Sequence, residues 1–417
     1  MIDNSHDSLF LIVGTNPLPN IVIADYFLKM FSHLREIYLF HSEERQDKNQ
    51  KGTYSYAQNI EHILKARFSK RVLSIHTIPL SDISNAKEIF RDMDKHLRDS
   101  LKGDLKIHLN YTGGTKVMVT HIYRKVMEYL KERKIKKATS SYLDARTFRI
   151  VDDEEGPITS DLRREIKLTL DEIMSLHGFR KVNKDEDFRF TEGVKKFKEL
   201  IEQECLHEFF KRYPRERFLN KKNQLCEKKG EVRDELKSMN AEEPFLSVVL
   251  ALPEDYRIFN PDGSFREPLT NKHLEYALKF IDGRWLEQYV YDILKSHFSD
   301  LNVYSNYEIR KSDWSGNQKF ELDVIVVKGY QLIGISCTTS CERHVCKSKG
   351  FEILHRTRQI GGDEARTVLI TMLNNDKRDE LDDELSIDTG GKDNILVLGE
   401  NDLKQERLVE KIKKFIE

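Results

Sequence analysis

The sequence predicts an α/β protein in which a parallel sheet flanked by helices is followed by a helical or mixed middle segment and a second α/β domain. Three observations predict it. Between residues 8 and 131, apolar runs of strand length alternate with amphipathic runs of helix length, the pattern of a parallel sheet with helices on its faces. Near residue 329, two segments rich in Val and Ile flank a glycine-containing turn, as in a buried hairpin. At 417 residues the chain is also too long for one ordinary domain. The patterns divide it into residues 1–158, 159–272 and 273–417.

The first strand is SLFLIVG, residues 8–14, a continuous apolar run suited to burial on both faces. A helical pattern follows from about Ile21. EIYLFHSEE then reads as a strand, YAQNIEHILKARF as a helix, VLSIHTIPL as a strand and SNAKEIFRDMDKHLRDSL as a helix. DLKIHLNYTGGTKVMVTHIYRKVMEYLKE supplies a strand, a glycine turn and a helix. The unit is Rossmann-like, and such sheets bind ligands at the carboxyl ends of their strands. Three loops lie there: residues 14–20, 41–44 and 110–116. They nominate Thr15, Asn16, Pro17, Ser42, Asn110, Thr112, Gly113, Gly114, Thr115 and Lys116 as ligand contacts. In the third loop, paired glycines allow close backbone approach, two threonines add hydroxyls and Lys116 adds charge at a helix start, which suits phosphate. The loop has neither Walker A nor GxGxxG spacing. A plain turn with glycine as N-cap is the alternative reading of that loop alone.

Composition narrows the classes. Charged residues make up 33% and the hydrophobic set 39%, compatible with packed cores, and 69 basic against 70 acidic residues leave a net charge of −1. A nucleic-acid role therefore needs local basic patches. No window is apolar enough to span a membrane, and the N-terminus lacks a signal-peptide pattern, so a cytoplasmic location without membrane contact is expected. Five cysteines, an odd number, do not form a secreted disulfide framework.

Residues 159–272 are less legible. TSDLRREIKLTLDEIMSLHGF reads as a helix ending at Gly178, KKFKELIEQECLHEFFKRY as a second amphipathic helix, and EPFLSVVLALP as a strand or short helix. The basic run KRYPRERFLNKKNQLCEKKGEVR could touch a phosphate backbone, though a solvated helix face is the commoner meaning. FNPDGSFREPLTN has linker composition.

The C-terminal domain opens with LEYALKFIDGRWLEQYVYDILKSHF, where Gly283 interrupts a helical pattern and Glu287 sits beside an apolar stripe. In KFELDVIVVKGYQLIGISCTT, a two-residue type II′ turn at Gly329-Tyr330 would pair Asp323 with Ser336 and Glu321 with Thr338 on one face. Carboxylates on a buried hairpin need a partner, and Mg²⁺ or Mn²⁺, hard cations that prefer oxygen, would supply one. A helix from about Val345 to Ile360 follows. Its spacing places Lys349, Glu352, Arg356 and Gln359 on one stripe, with Lys347 nearby and Phe351, Leu354 and Ile360 free to pack elsewhere. His344, His355 and Arg358 complete a positive patch. A zinc site at Cys337, Cys341, His344 and Cys346 competes for the stretch, but its spacing is irregular.

NYTGGTK after one strand and GTNPLPN after the first resemble the CRISPR-associated Rossmann-fold (CARF) sensor domains, which bind cyclic oligoadenylates made by type III CRISPR complexes. The order GRWLEQYVYDIL then ELDV resembles the PD-(D/E)xK nuclease superfamily, giving a restriction-endonuclease-like C-terminal domain. The combination resembles CARF nucleases activated by cyclic tetra-adenylate. It implies a homodimeric, metal-dependent endonuclease acting on single-stranded RNA, single-stranded DNA or nicked duplex. Asp323, Glu321 and Glu287 would be metal ligands with the backbone carbonyl of Cys337, and Lys349, Lys347 and Glu352 would complete the catalytic set. One departure stands out. The (D/E)xK element should occupy Ser336-Cys337-Thr338, and neither acid nor lysine is there. Either the site is rearranged, with a lysine supplied by the following helix, or the domain is degenerate and regulatory. A sensor that degrades its own ligand through Lys116 is a further alternative. We favour the rearranged site, with Lys349 first and Lys347 second.

Overall fold

The opening apolar run becomes β1 (Ser8–Val13), buried at every position, as a strand covered on both faces must be. The computed structural model describes residues 6–98, 100–101, 105–132, 134–182, 190–213, 218, 229–312, 319–391 and 394–417. The βα units follow in the order the sequence predicts: α1 (Leu18–Met30), β2 (Glu36–Ser42), α2 (Tyr54–Arg67), β3 (Ser74–Leu80), α3 (Ala86–Leu97), β4 (Lys106–Asn110) and α4 (Lys116–Lys131). With β5 (Lys137–Asp144), β6 (Arg149–Asp152) and β7 (Gly156–Pro157) they form one sheet in the order β3-β2-β1-β4-β5-β6-β7. β1 to β5 run parallel. The strand order reverses between β1 and β4, where a crevice opens in such sheets.

Glycine lets the two crossovers at that point touch. A Cβ on Gly14 would lie 2.7 Å from the Gly114 nitrogen, and one on Gly113 would lie 2.1 Å from the Ile12 carbonyl oxygen. Close loop packing, as much as ligand approach, explains these residues.

In the middle segment only the second half of the expected helix forms. Residues 162–164 make a 3₁₀ turn, and α5 (Leu170–Leu176) starts at a capping box between Thr169 and Glu172. After Gly178, β8 (Phe179–Lys181) joins the edge of the second sheet. α6 (Thr191–Glu202), α7 (Leu206–Arg212), α8 (Lys229–Ser238) and α9 (Phe245–Leu250) follow; EPFLSVVLALP is thus a short helix. Most of the basic run, residues 214–217 and 219–228, lies outside the described residues. α10 (Asn271–Lys279) continues through a π-helical turn, Phe280–Arg284, into α11 (Trp285–His297). Gly283 therefore marks a widened turn rather than a break.

The second sheet contains β9 (Asn302–Lys311), β10 (Phe320–Lys328), β11 (Gln331–Cys337), β12 (Arg366–Ile370) and β13 (Ile395–Leu398), in the order β13-β12-β11-β10-β9-β8. α12 (Arg343–Gly361), α13 (Asn375–Thr389) and α14 (Gln405–Ile416) complete the domain. Lys328 pairs with Gln331, and Gly329 has φ +65°, as the II′ turn requires. On one face, Val324, Val326 and Ile335 pack with Trp285, Tyr289 and Ile412. On the other, Ile325, Val327 and Leu332 share a core with Ile353 and Ile360 of α12 and with Ile21, Ile60 and Ile173 from the N-terminal half. One apolar core thus joins the N-terminal sheet to the hairpin. Among the described residues no helix is long and apolar enough to cross a membrane.

Candidate active site and sensor cleft

The β10–β11 ladder ends at Val324–Ile335, which places Asp323 opposite Ser336 as the turn predicts. The Ser336 hydroxyl donates to Asp323 Oδ2 at 3.1 Å, and the Cys337 N–H donates to the same oxygen at 2.7 Å. On the other side, Asn306 falls opposite Asp323 between the Leu322–Tyr307 and Val324–Ser305 pairs and has φ +53°. A non-glycine residue in that region marks local distortion of the strand. The expected Glu321–Thr338 relation is looser: Thr338 is buried, its N–H donates to the Ile370 carbonyl, and its hydroxyl accepts from the Ser340 N–H.

Glu287, on the first turn of α11, joins these acids. Burial drives its carboxyl well above the ordinary value; the charges of Asp323 and then Glu321 add to this, opposed by Arg284 and Lys349. Burial also raises Asp323, against the Cys337 N–H, the Lys349 charge and the Ser336 hydroxyl. Glu321 stands at the open rim, more than a third exposed, yet crowding by surrounding protein and the Asp323 charge raise it too. Three carboxyls that resist ionising together form a site short of positive charge. Their oxygens suit a divalent cation. Among the described residues, however, no three His, Cys, Asp or Glu side chains are drawn together at metal-binding spacing. The donor chemistry fits; the carboxylates have not converged. The competing cysteine set is not assembled either: Cys337 is buried in β11, Cys341 is exposed, and the Cys346 thiol points to the Ser340 carbonyl at 3.5 Å.

α12 separates the two candidate lysines. The Lys349 charge acts on Asp323, Glu287 and Cys337, and Glu352 acts on Asp323. Lys347, the second candidate, is not brought to the acids: it pairs with Glu384 and, at 3.2 Å, with Asp388 of α13. Two residues along a helix is more than half a turn, so only one can face the hairpin. Along the Lys349 stripe, Arg356 donates to Gln359 at 3.2 Å and covers the Phe320 ring at 4.7 Å. Phe351 is 38% exposed rather than packed. Arg284, three residues before Glu287, was not singled out from the sequence; that i, i+3 spacing was the available signal.

At the switch point of the N-terminal sheet, a cleft of about 400 Å³ is lined by Gly14, Thr15, Ser42, Gly114 and Thr115, all from the three nominated loops. Other nominated residues build the loops instead. Asn110 donates to Ser141 and accepts from Thr112, whose hydroxyl also accepts from the Leu143 N–H. Pro17 caps α1, and Gly113 is pressed on β1. Lys116 begins α4 and is not among the lining residues. Asn16 turns away toward Glu364. Reasoning from sequence missed Lys48, Gln50, Lys51 and Thr53, which close the cleft from the β2–α2 loop. Thr53 is held by the Val13 carbonyl and Ser42 by the Lys51 carbonyl. Lys48 pairs with Asp82, whose carboxyl is held well below its usual range by that lysine and by Ser84. The signal was the length of that connection, eleven residues from Glu43 to Thr53, well beyond the usual span.

A cleft at a Rossmann switch point thus lies in the same chain as a second sheet whose hairpin carries desolvated acids. Residues 9–142, the region of the Rossmann-like sheet, match the Card1 CARF domain family, and a second α/β sheet follows. No curated protein sequence matches the chain. Over nearly its whole length the chain shares the fold of two solved structures. Can2 from Sulfobacillus thermosulfidooxidans, in complex with cyclic tetra-adenylate, is 16% identical with a TM-score of 0.64, over 97% of this chain and 99% of that one. Protein VC1899 from Vibrio cholerae is 15% identical with a TM-score of 0.62, over 98% of each chain.

Proposed function

We propose that this chain is a divalent-metal-dependent endonuclease of type III CRISPR defence, activated by cyclic oligoadenylate, with cyclic tetra-adenylate as the activator. The observation that carries the reading is the union, in one chain and over one shared core, of a cleft in the CARF-matching region with two desolvated carboxyls, Glu287 and Asp323, on which the Lys349 charge acts, and a third, Glu321, beside them. A symmetric cyclic ligand suits a homodimer in which each sensor contributes half a site.

Asp323, Glu321 and Glu287 would hold Mg²⁺ or Mn²⁺ with the Cys337 carbonyl. The bound metal would polarise the scissile phosphate and lower the pKa of water. Ser336 and the Cys337 N–H fix the Asp323 carboxylate in place. Lys349 offsets the charge of Glu287 and Asp323 and would offset charge developing on the phosphate. The Arg284 charge offsets Glu287 and Glu321. The phosphate backbone of single-stranded RNA, single-stranded DNA or nicked duplex would lie along the α12 stripe, where contacts are sequence-tolerant. Incubating the protein with each labelled nucleic acid and Mn²⁺, with and without cyclic tetra-adenylate, tests the reading: ligand-stimulated cleavage is expected, and none across all three substrates overturns it.

The absent (D/E)xK element and the unconverged carboxylates favour one second reading, a ligand-binding regulator with a degenerate nuclease fold. Metal-dependent cleavage lost in Asp323→Ala excludes it.

A further inference from the structure

Asn16 and Glu364 are separated by 348 residues, yet Asn16 Nδ2 donates to Glu364 Oε2 at 2.9 Å. Each belongs to a functional element. Asn16 lies in the β1–α1 loop, next to Thr15, which lines the sensor cleft. Glu364 lies three residues beyond α12, the helix that carries Lys349 and Glu352.

The fit at this junction is close. Gly362, the C-cap of α12, has φ +73°, and a Cβ there would stand 2.4 Å from Asn16 Oδ1. Only glycine lets the helix end approach the loop this closely. The same Asn16 oxygen accepts from the Leu18 N–H at 3.3 Å and lies 3.4 Å from His177 Nε2 of the segment after α5. The Glu364 carbonyl accepts from Gln331 Nε2 at 2.9 Å, and Arg163 Nη1 donates to Gln331 Oε1 at 2.7 Å. Glu364 therefore grips the sensor loop with its side chain and the hairpin turn with its backbone. It is 7% exposed, and burial pushes its carboxyl up to about 7. Packing alone would be served better by an apolar residue, since a buried carboxyl is costly unless its hydrogen bond is needed.

Resting on the reading of the N-terminal domain as a cyclic oligoadenylate sensor, we propose that the Asn16–Glu364 pair is the contact through which the sensor loop positions α12, so that occupancy of the cleft changes where Lys349 and Glu352 stand relative to Asp323. A ligand that engages Thr15 favours one arrangement of the loop, and the contact passes that preference to the helix end. Such coupling needs only a difference in ligand affinity between the two arrangements. Asn16 and Glu364 are positioning residues in this scheme and touch neither nucleic acid nor the acids.

The test measures cyclic tetra-adenylate affinity by calorimetry and, in parallel, ligand-induced change in amide hydrogen exchange over residues 343–364, in the full-length protein and in Asn16→Ala, Glu364→Leu and Glu364→Gln. In the parent protein, ligand should shift exchange along α12. Asn16→Ala and Glu364→Leu should still bind but lose that shift, by about fivefold or more. Glu364→Gln, whose amide oxygen still accepts from Asn16, should keep it. An undiminished shift in both loss variants, or no shift in the parent despite ligand binding, overturns the proposal and leaves the sensor reading standing. Failure of the parent to bind cyclic tetra-adenylate overturns both. Loss of binding in Asn16→Ala alone makes Asn16 a ligand contact and likewise overturns the link.

Discussion

The Cys337 N–H donates to Asp323 Oδ2 at 2.7 Å, at the point where the hairpin ladder stops. A side-chain carboxylate thus takes a strand N–H in the segment, residues 336–338, where the sequence resemblance calls for an acid and a lysine. Asp323 is held rigidly, but at the cost of a buried charge that its neighbours only partly offset. Asp323→Asn should therefore lower metal-dependent cleavage by more than about a hundredfold, the upper end for losing a mere supporting group around a metal. It should also keep or raise the metal-free melting temperature, because the buried charge is gone. Mn²⁺ should raise the melting temperature of the parent and not of the variant. Thermal melts with and without Mn²⁺, beside cleavage rates, check all three.

The two lysines of α12 give a sharper contrast. Lys349→Ala removes the cation that opposes desolvation at Asp323 and Glu287, and cleavage should fall at least tenfold, with Lys349→Arg restoring part of it. Lys347→Ala breaks a pair with Glu384 in which both side chains are about a third exposed, so it should leave cleavage near the parent value and scarcely move the melting temperature. Full activity in Lys349→Ala would move the catalytic site elsewhere.

The register of the hairpin was legible because a period-two pattern and a Gly-X turn fix which residues face each other. The choice between Lys347 and Lys349 was not, because it depends on how α12 sits on β11. That seating is set partly by Gly334, where a Cβ would lie 2.1 Å from Thr357 Oγ1; no local pattern in either segment announces the contact. β8 is three residues long, too short to show a period, and its strand character comes from the edge of β9. The first and third cleft loops announced themselves by glycine and proline. Lys48 and Lys51 sit in a polar loop whose only local sign was its length. The Asn16–Glu364 contact joins two loops that local sequence treats as unrelated.

Glu364 should make stability depend on pH. Its folded value, about 7, lies above the ordinary 4.5, so the folded state retains a proton that the unfolded chain releases. The stabilising contribution is fully present below 4.5 and is lost as pH rises through 7. A shift of that size corresponds to roughly 3 kcal/mol. Asp363 beside it raises the value slightly, while the Asn16 amide lowers it; Tyr330 faces it, and the His177 ring lies near Asn16. Burial lowers His177 below the ordinary imidazole value. Glu364→Gln should flatten the decline in melting temperature between pH 5 and 8 and be the more stable protein at pH 8. An unchanged slope would assign the decline to other groups.

Lys48 tests where the activator sits. Its ammonium, paired with buried Asp82 at the cleft rim, is anchored on one side and 44% exposed on the other, an arrangement that presents charge to a phosphate without the entropy of a free lysine. Lys48→Ala should weaken cyclic tetra-adenylate binding by roughly tenfold or more, the scale of one charged hydrogen bond, and reduce the salt dependence of affinity. Calorimetry at two ionic strengths reads both effects. A second cleft, of about 810 Å³, lies beyond the same strand end and is lined by His41, Glu43, Glu44 and His96. Its carboxylates repel phosphate, so unchanged affinity in Lys48→Ala would require the ligand to sit against that acidic wall and would overturn the placement at the smaller cleft.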